Sequence, residues 1–218
     1  GRNTSVTDDL GNTTSYEYDA NGNVTKVTYA NGNTISYEYD SRGNCIKTSF
    51  EDGSFILAKY NEYCLKVSET DRAGNTTEFE YDRFGRLIKV IDPEGNTTSY
   101  GYDSLGNMIS QTDANGNTTT FEYDLLGRRI KRTLPLGMSE TYKYDAVGNI
   151  KSITDFNGNT VTFEYDDNDR IIAKIFPDGT KEEFTYTPLG LRKTATDSRG
   201  TTSFEYDERG RLVKETNP

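Results

Sequence analysis

Histidine is absent from this chain, and cysteine occurs only twice. Without histidine there is no Ser–His or Cys–His nucleophile pair, no histidine-containing zinc site and no general base of the commonest kind. Two thiols, Cys45 and Cys64, cannot supply a four-thiolate metal centre. Hydrophobic residues make up 32% of the chain, and no apolar run approaches the roughly 18 residues of a membrane span. A signal-peptide pattern is also missing. Basic residues are in the minority: 25 Lys and Arg stand against 35 Asp and Glu, for a net charge of −10. With no basic stripe to neutralise phosphates, nucleic acid is not an expected partner. The acidic excess serves mainly solubility. No phosphate loop of the Gly-x-x-x-x-Gly-Lys type occurs, and no 3.6-residue periodicity runs long enough for a helix.

The chain is rich instead in aromatics, with 16 tyrosines and 10 phenylalanines in 218 residues, and they recur at a fixed interval. Tyr-Asp pairs begin at Tyr18, Tyr39, Tyr81, Tyr102, Tyr123, Tyr144 and Tyr165, all in one 21-residue register. Tyr60 and Tyr186 keep that register with Asn61 and Thr187 in the aspartate's place, and Tyr206-Asp207 arrives one residue early. A fixed period of this length marks tandem repeats. Residues 1–218 read as a single array of about ten 21-residue copies. Opening on Gly1-Arg2 without a methionine, the array is expected to be a segment of a longer chain. Regularly placed aromatics can bury much surface, so an ordered fold is expected despite the low apolar content.

Two glycine series punctuate the copies. One runs from Gly11 to Gly200 without a gap; the other runs from Gly22 to Gly210, with Cys64 and Asp169 at its two missing places. A turn signal therefore falls every 10 or 11 residues, the spacing of short antiparallel strands joined by tight loops. Aspartate, where it stands at the start of a loop, can bond the backbone two residues on, and glycine tolerates the positive φ near its end. The structural signature of the second series is a tyrosine, a turn aspartate and a turn glycine. It consists of Tyr18, Asp19, Gly22; Tyr39, Asp40, Gly43; Tyr81, Asp82, Gly85; Tyr102, Asp103, Gly106; Tyr123, Asp124, Gly127; Tyr144, Asp145, Gly148; Tyr165, Asp166; and Tyr206, Asp207, Gly210. No catalytic, cofactor-binding or metal-binding residue is predicted.

Between turns the strands are of two kinds. The first leads into the tyrosine, as in residues 117–123, where Phe121 and Tyr123 share one face and Glu122 takes the other. Stacked copies give two aromatic columns. One is tyrosine at every copy from Tyr18 to Tyr206, and the other mixes tyrosine and phenylalanine and is broken only by Ala58. The second kind follows the second glycine and is expected to show apolar residues on both faces, for example Leu87 and Ile88. About 21 strands in sequence predict an all-β fold: a continuous antiparallel meander. At about 4.8 Å per strand it would spiral into a partial shell or coil. Copy 3 (residues 54–74) and the stretch 166–169 match worst, and are where a local bulge or change of curvature is expected. Cys45 and Cys64 should lie about 10 Å apart on alternate strands, too far for a disulfide, and are read as free thiols.

The acids recur in every copy, whereas an active site is unique, so an enzyme is not expected. Loops such as Asp113-Ala114-Asn115-Gly116-Asn117 resemble short calcium loops, but they lack a terminal bidentate glutamate and Asx-turn capping explains them without metal. The tyrosine columns suit either the packed surface of a coiled sheet or a platform for glycans. Outer strands that bear the ordinary repeat pattern could add to one another edge to edge, giving a fibre.

The pattern Tyr81-Asp82-Arg83-Phe84-Gly85-Arg86-Leu87, repeated at Tyr206-Asp207-Glu208-Arg209-Gly210-Arg211-Leu212, resembles the YD repeat of the Rhs family. Asp71-Arg72-Ala73-Gly74-Asn75-Thr76-Thr77 fits it too, and the resemblance covers essentially the whole chain. The family includes bacterial Rhs and wall-associated polymorphic toxins, insecticidal toxin-complex subunits and teneurins. The resemblance implies a β-sheet that winds into a hollow shell enclosing a toxic domain, or forms a barrel on an adhesion receptor. It also implies a secreted or cell-surface location. Partners would be flanking repeats or toxin cargo of the same polypeptide. The self-cleaving aspartate region and variable toxin domain of the family's toxins have no counterpart here, so no catalytic residue carries over.

Overall fold

The computed structural model describes residues 2–218. They form 21 strands that belong to one sheet, with no helix among the described residues. Ten strands end on the repeat tyrosine: β2 (Thr13–Tyr18), β4 (Thr34–Tyr39), β6 (Phe55–Tyr60), β8 (Thr76–Tyr81), β10 (Thr97–Tyr102), β12 (Thr118–Tyr123), β14 (Ser139–Tyr144), β16 (Thr160–Tyr165), β18 (Lys181–Tyr186) and β20 (Gly200–Tyr206). The odd strands alternate with them: β1 (Ser5–Thr7), β3 (Val24–Thr28), β5 (Cys45–Phe50), β7 (Lys66–Thr70), β9 (Leu87–Ile91), β11 (Met108–Thr112), β13 (Arg129–Thr133), β15 (Ile150–Thr154), β17 (Ile171–Ile175), β19 (Arg192–Asp197) and β21 (Leu212–Thr216). The residues divide into two compact units. One extends to Gly101 and takes in Gln111–Asn117; the other is Tyr102–Ser110 with Thr118–Pro218. The same hairpin module builds both.

Within the units, odd strands pair regularly with the even strand that follows, as in Thr28↔Thr34, Val27↔Ile35 and Lys26↔Ser36. Even strands pair with the next odd strand through a bulge. In the first unit Glu80 stands opposite Lys89 and Tyr81 opposite Leu87, which leaves Ile88 as the extra residue. In the second unit Glu164 faces Ala173 and Tyr165 faces Ile171, with Ile172 extra. This corrects one sequence expectation and refines another. The bulge is not confined to the imperfect copies but stands at the tyrosine of both units, from Tyr18 to Tyr206. The odd strands do carry apolar residues on both faces, with Ile91 beside Glu78, but the pair Leu87 and Ile88 is not divided by plain alternation. Cross-strand partners share a face, so Leu87 lies with Tyr81, Val90 with Phe79, and Lys89 with Glu80 on the opposite side. The extra residue breaks the two-residue alternation and brings positions three apart, Leu87 and Val90, onto the aromatic face.

Packing is shallow. Val27, Phe121 and Phe184 are buried on the aromatic face, each worth about 1.5–3 kcal/mol of transfer free energy. Ala173 and Ser152 are buried on the other face, as small residues between long neighbours: Ala173 lies between Glu164 and Glu183. That face also carries Lys–Glu pairs across the bulged hairpins, with Lys47–Glu38 at 2.8 Å, Lys89–Glu80 at 3.0 Å and Lys131–Glu122 at 3.0 Å. Exposed pairs of this kind add little stability, but they follow the bulge register and so mark the face. Both cysteines are free thiols, Cys45 half-buried and Cys64 exposed.

Candidate functional site

The predicted signature residues do not converge on one point; each trio builds one loop of its own copy. Asp113 shows the loop in full. Its backbone N–H donates to the Asn117 carbonyl and the Gly116 N–H donates back to the Asp113 carbonyl, both at 3.0 Å. Its Oδ1 accepts from the N–H groups of Asn115 and Asn117 at 2.9 and 2.8 Å, and its Oδ2 accepts from Asn117 Nδ2 at 2.9 Å. One carboxylate thus satisfies three donors of a five-residue loop, and the penultimate residue closes it with positive φ. Where the second glycine series lapses, Cys64 and Asp169 take that conformation themselves, both at φ 60°. Asn61 and Thr187 substitute for the aspartate by accepting from the loop through Oδ1 and Oγ1.

These bonds favour the charged form of the carboxylate. The Asn117 side chain and then its backbone N–H hold Asp113 below its ordinary pKa, and Asn75 does the same for Asp71. Arginine serves in place of asparagine in several copies. Arg128 Nε donates to Asp124 Oδ2 at 2.7 Å, and Arg170 Nε to Asp166 Oδ2 at 2.7 Å. Each guanidinium also lies over the tyrosine of the next copy, 4.6 Å from the ring centre for both Arg128–Tyr144 and Arg170–Tyr186. A loop arginine therefore links its own turn to the following repeat, a role that the letters Gly-Arg do not disclose.

The repeat tyrosine has a second, hidden role. In β3–β4 the ladder stops at Lys26↔Ser36, which leaves the Val24 carbonyl, beside the bulge, beyond it. Tyr39 Oη donates to that carbonyl at 2.8 Å. Tyr81 does the same to Lys66 O at 2.8 Å, Tyr123 to Met108 O at 2.9 Å and Tyr165 to Ile150 O at 2.8 Å, each 15 residues back. Tyr206 reaches 14 residues back, to Arg192 O, because its copy is one residue short. Each of these hydroxyls therefore satisfies the carbonyl freed by the bulge of the preceding copy. This explains why one aromatic column is always tyrosine while the neighbouring column accepts phenylalanine. The hydroxyl that a glycan platform would present is engaged in the framework.

Several copies depart from the pattern: β7 places Lys66 and Glu69, which pair with each other, at the aromatic-face positions, and β19 places Arg192 at the first of them. In β13 the two aromatic-face positions held by Leu87 and Val90 in β9 become Arg129 and Arg132. Arg129 lies 4.9 Å over the Tyr142 ring and donates to its hydroxyl at 3.0 Å, while Arg132 pairs with Glu140 at 3.6 Å. Among the described residues no three acidic or thiol side chains gather around a common point.

Residues 1–134 match the family described as Teneurin YD-shell, and residues 144–181, 165–202 and 186–218 match the RHS repeat. No curated protein sequence matches the chain. Among solved structures, a crystal structure of TcdB2-TccC3-TEV aligns over 93% of this chain and 13% of its own length, at 16% identity and a TM-score of 0.79. The Tc holotoxin pore of Photorhabdus luminescens aligns over 95% of this chain and 13% of its own, at 19% identity and a TM-score of 0.61. A further TcdB2-TccC3 structure aligns over 95% and 14%, at 19% identity and a TM-score of 0.62. At these identities the likeness is one of fold, and the chain spans only about a seventh of the proteins it overlays.

Proposed function

Because this chain belongs to the Teneurin YD-shell family, we propose that it is a non-enzymatic structural array, one stretch of a β-shell wall that encapsulates or displays a toxin or adhesive domain. The cargo and the flanking repeats would belong to the same polypeptide, at the cell surface or secreted from the cell. The observation that carries this reading is where the polar chemistry goes. The turn carboxylates take up the N–H groups of their own loops, and in most copies the repeat tyrosine takes up the carbonyl freed by a bulge. Groups spent on the framework in this way describe a wall rather than a reaction centre.

Limited proteolysis of the polypeptide that carries this array tests the reading. With the wall intact, a cargo domain that is itself protease-sensitive should survive. With the wall loosened by Gly116→Val and Gly137→Val, which force branched side chains into loops at φ 81° and 88°, the cargo should be digested. Digestion at one rate in both proteins would refute encapsulation and leave display.

A fibre built by edge addition is the second reading. Every residue of β1 and of β21 is exposed, and unpaired strand edges are templates for pairing. Electron microscopy of concentrated protein would show regular filaments if this reading holds, and dispersed particles if it fails.

A further inference from the structure

Asparagine precedes a loop glycine at four places: Asn21-Gly22, Asn31-Gly32, Asn115-Gly116 and Asn157-Gly158. Such a pair has an intrinsic reaction open to it. The glycine backbone nitrogen can attack the asparagine Cγ, because glycine has no Cβ to obstruct the approach. The loops treat the four pairs differently. Asn31 Oδ1 accepts the Asn33 N–H at 3.0 Å, which ties that side chain down. Gly116 N–H donates to the Asp113 backbone carbonyl at 3.0 Å, while the Asp113 carboxylate takes the N–H groups of Asn115 and Asn117. The loop at Asn157 likewise turns the Asp155 carboxylate to the N–H groups of Asn157 and Asn159.

At Asn21-Gly22 the carboxylate is aimed elsewhere. Gly22 N–H donates to Asp19 Oδ1 at 2.7 Å, and to the Asp19 backbone carbonyl at 3.1 Å. On the other side of the same peptide unit, Arg2 Nη2 donates to the Asn21 carbonyl oxygen at 3.3 Å. The guanidinium lies in the space that a Cβ on residue 22 would fill, so glycine is what admits it. One peptide group thus has a cation on its oxygen and a carboxylate on its N–H. Both act in one direction: drawing electron density to the oxygen makes the N–H more acidic, and a base stands within hydrogen-bond reach of the proton. Asn21 is exposed at the loop tip, where water reaches it.

We propose that Asn21-Gly22 is a site of spontaneous covalent modification, at which the chain deamidates itself through a cyclic imide. As the Gly22 nitrogen bonds to Asn21 Cγ, its proton passes to Asp19 Oδ1. The bond from Cγ to Nδ2 breaks, and the departing amide nitrogen takes up that proton and leaves as ammonia. Water then opens the imide at either carbonyl, giving aspartate or isoaspartate at position 21. Water is the only co-reactant. The product carries an acid at a loop tip that is neutral in the parent chain, and the isoaspartate form lengthens the backbone inside the loop that Asp19 caps. The reaction does not depend on the shell reading.

Peptide mapping by mass spectrometry of the folded chain, held in neutral buffer, follows the four sites together. Asn21 should convert about tenfold faster than Asn115. The Asn23 side chain holds the Asp19 pKa low, which keeps it a weak base, so the gain stays below the roughly hundredfold of a matched one. In urea the two rates should converge, since unfolding removes Asp19 and Arg2 from the peptide but leaves the Asn-Gly sequence. Asp19→Asn, which can close the loop through its amide oxygen as Asn61 does, should fold normally by circular dichroism. It should bring Asn21 down to the Asn115 rate and leave Asn115 unchanged. Val147→Asn builds a second instance, because Gly148 N–H already donates to Asp145 Oδ1 at 2.8 Å, and position 147 should then also convert faster than Asn115. A native Asn21 no faster than Asn115 overturns the proposal, and so does a lead that survives Asp19→Asn.

Discussion

At the scale of single residues, the tyrosine hydroxyl is the sharpest feature of the repeat. Tyr165→Phe keeps the ring but leaves the Ile150 carbonyl, bonded at 2.8 Å in the native chain, without its donor. A lost hydrogen bond at a half-buried carbonyl corresponds to about 1 kcal/mol, and urea unfolding should show it. Tyr37→Phe is the control, because its column takes phenylalanine in other copies, and it should be close to neutral. Cys64 makes the opposite prediction. It occupies a glycine position at φ 60° with an exposed side chain, so Cys64→Gly should stabilise by about 1 kcal/mol by relieving left-handed strain. A variant no more stable than the parent would show that the loop at 61–65 relaxes without cost.

At the scale of the strand, the bulge decides which residues meet. In β15 Lys143 faces Ser152 and Tyr144 faces Ile150, so Lys151 is the residue without an opposite number. Deleting Lys151 restores plain alternation: Ile150 stays opposite Tyr144 and Ser152 opposite Lys143, but the bulge is gone. The Ile150 carbonyl then loses its position beneath Tyr165. This change should lower stability by about 1 kcal/mol, whereas Lys151→Ala, which keeps the bulge, should stay within about 0.5 kcal/mol. Equal effects would mean that the strand simply re-registers. The bulge also marks the limit of what the sequence discloses. The two glycine series and the Tyr-Asp pairs locate every hairpin, since loop chemistry is local and a missing Cβ or a turn carboxylate acts within five residues. Even Cys64 and Asp169 are recognisable as turn residues by position alone. The bulge is not legible, because Leu87-Ile88 reads equally well as alternating faces or as one residue in excess. The tyrosine–carbonyl bond depends on the bulge and spans 15 residues, so it stays hidden as well. The Arg128–Tyr144 stack is hidden for the same reason: its two partners belong to different copies.

At the scale of the whole chain, the same small interaction is repeated in both units, and its pH dependence should appear as one concerted effect. The loop carboxylates, Asp71 and Asp113 among them, are held below their ordinary pKa by hydrogen bonds that only the charged form accepts fully. The sign follows from linkage. A carboxylate whose pKa is depressed by folding stabilises the native state above the unfolded value, about 3.9, and that contribution is lost as pH falls through the depressed native value. The urea midpoint should therefore be nearly constant from pH 7 to about pH 5 and fall steeply below about pH 4. The exposed Lys–Glu pairs are a second electrostatic contribution, and salt separates the two sources. Ion pairs are screened at high ionic strength, whereas bonds from loop N–H groups to a carboxylate in the same loop are not, so the acid slope should persist in 1 M salt. Asn61 supplies the decisive control, since its amide oxygen already accepts the Tyr63 and Leu65 N–H groups at 2.9 and 3.0 Å without any charge. Changing Asp71, Asp92 and Asp113 to asparagine should flatten the acid limb in proportion to the number replaced. An acid limb of unchanged slope would overturn the assignment of the sensitivity to the loop carboxylates.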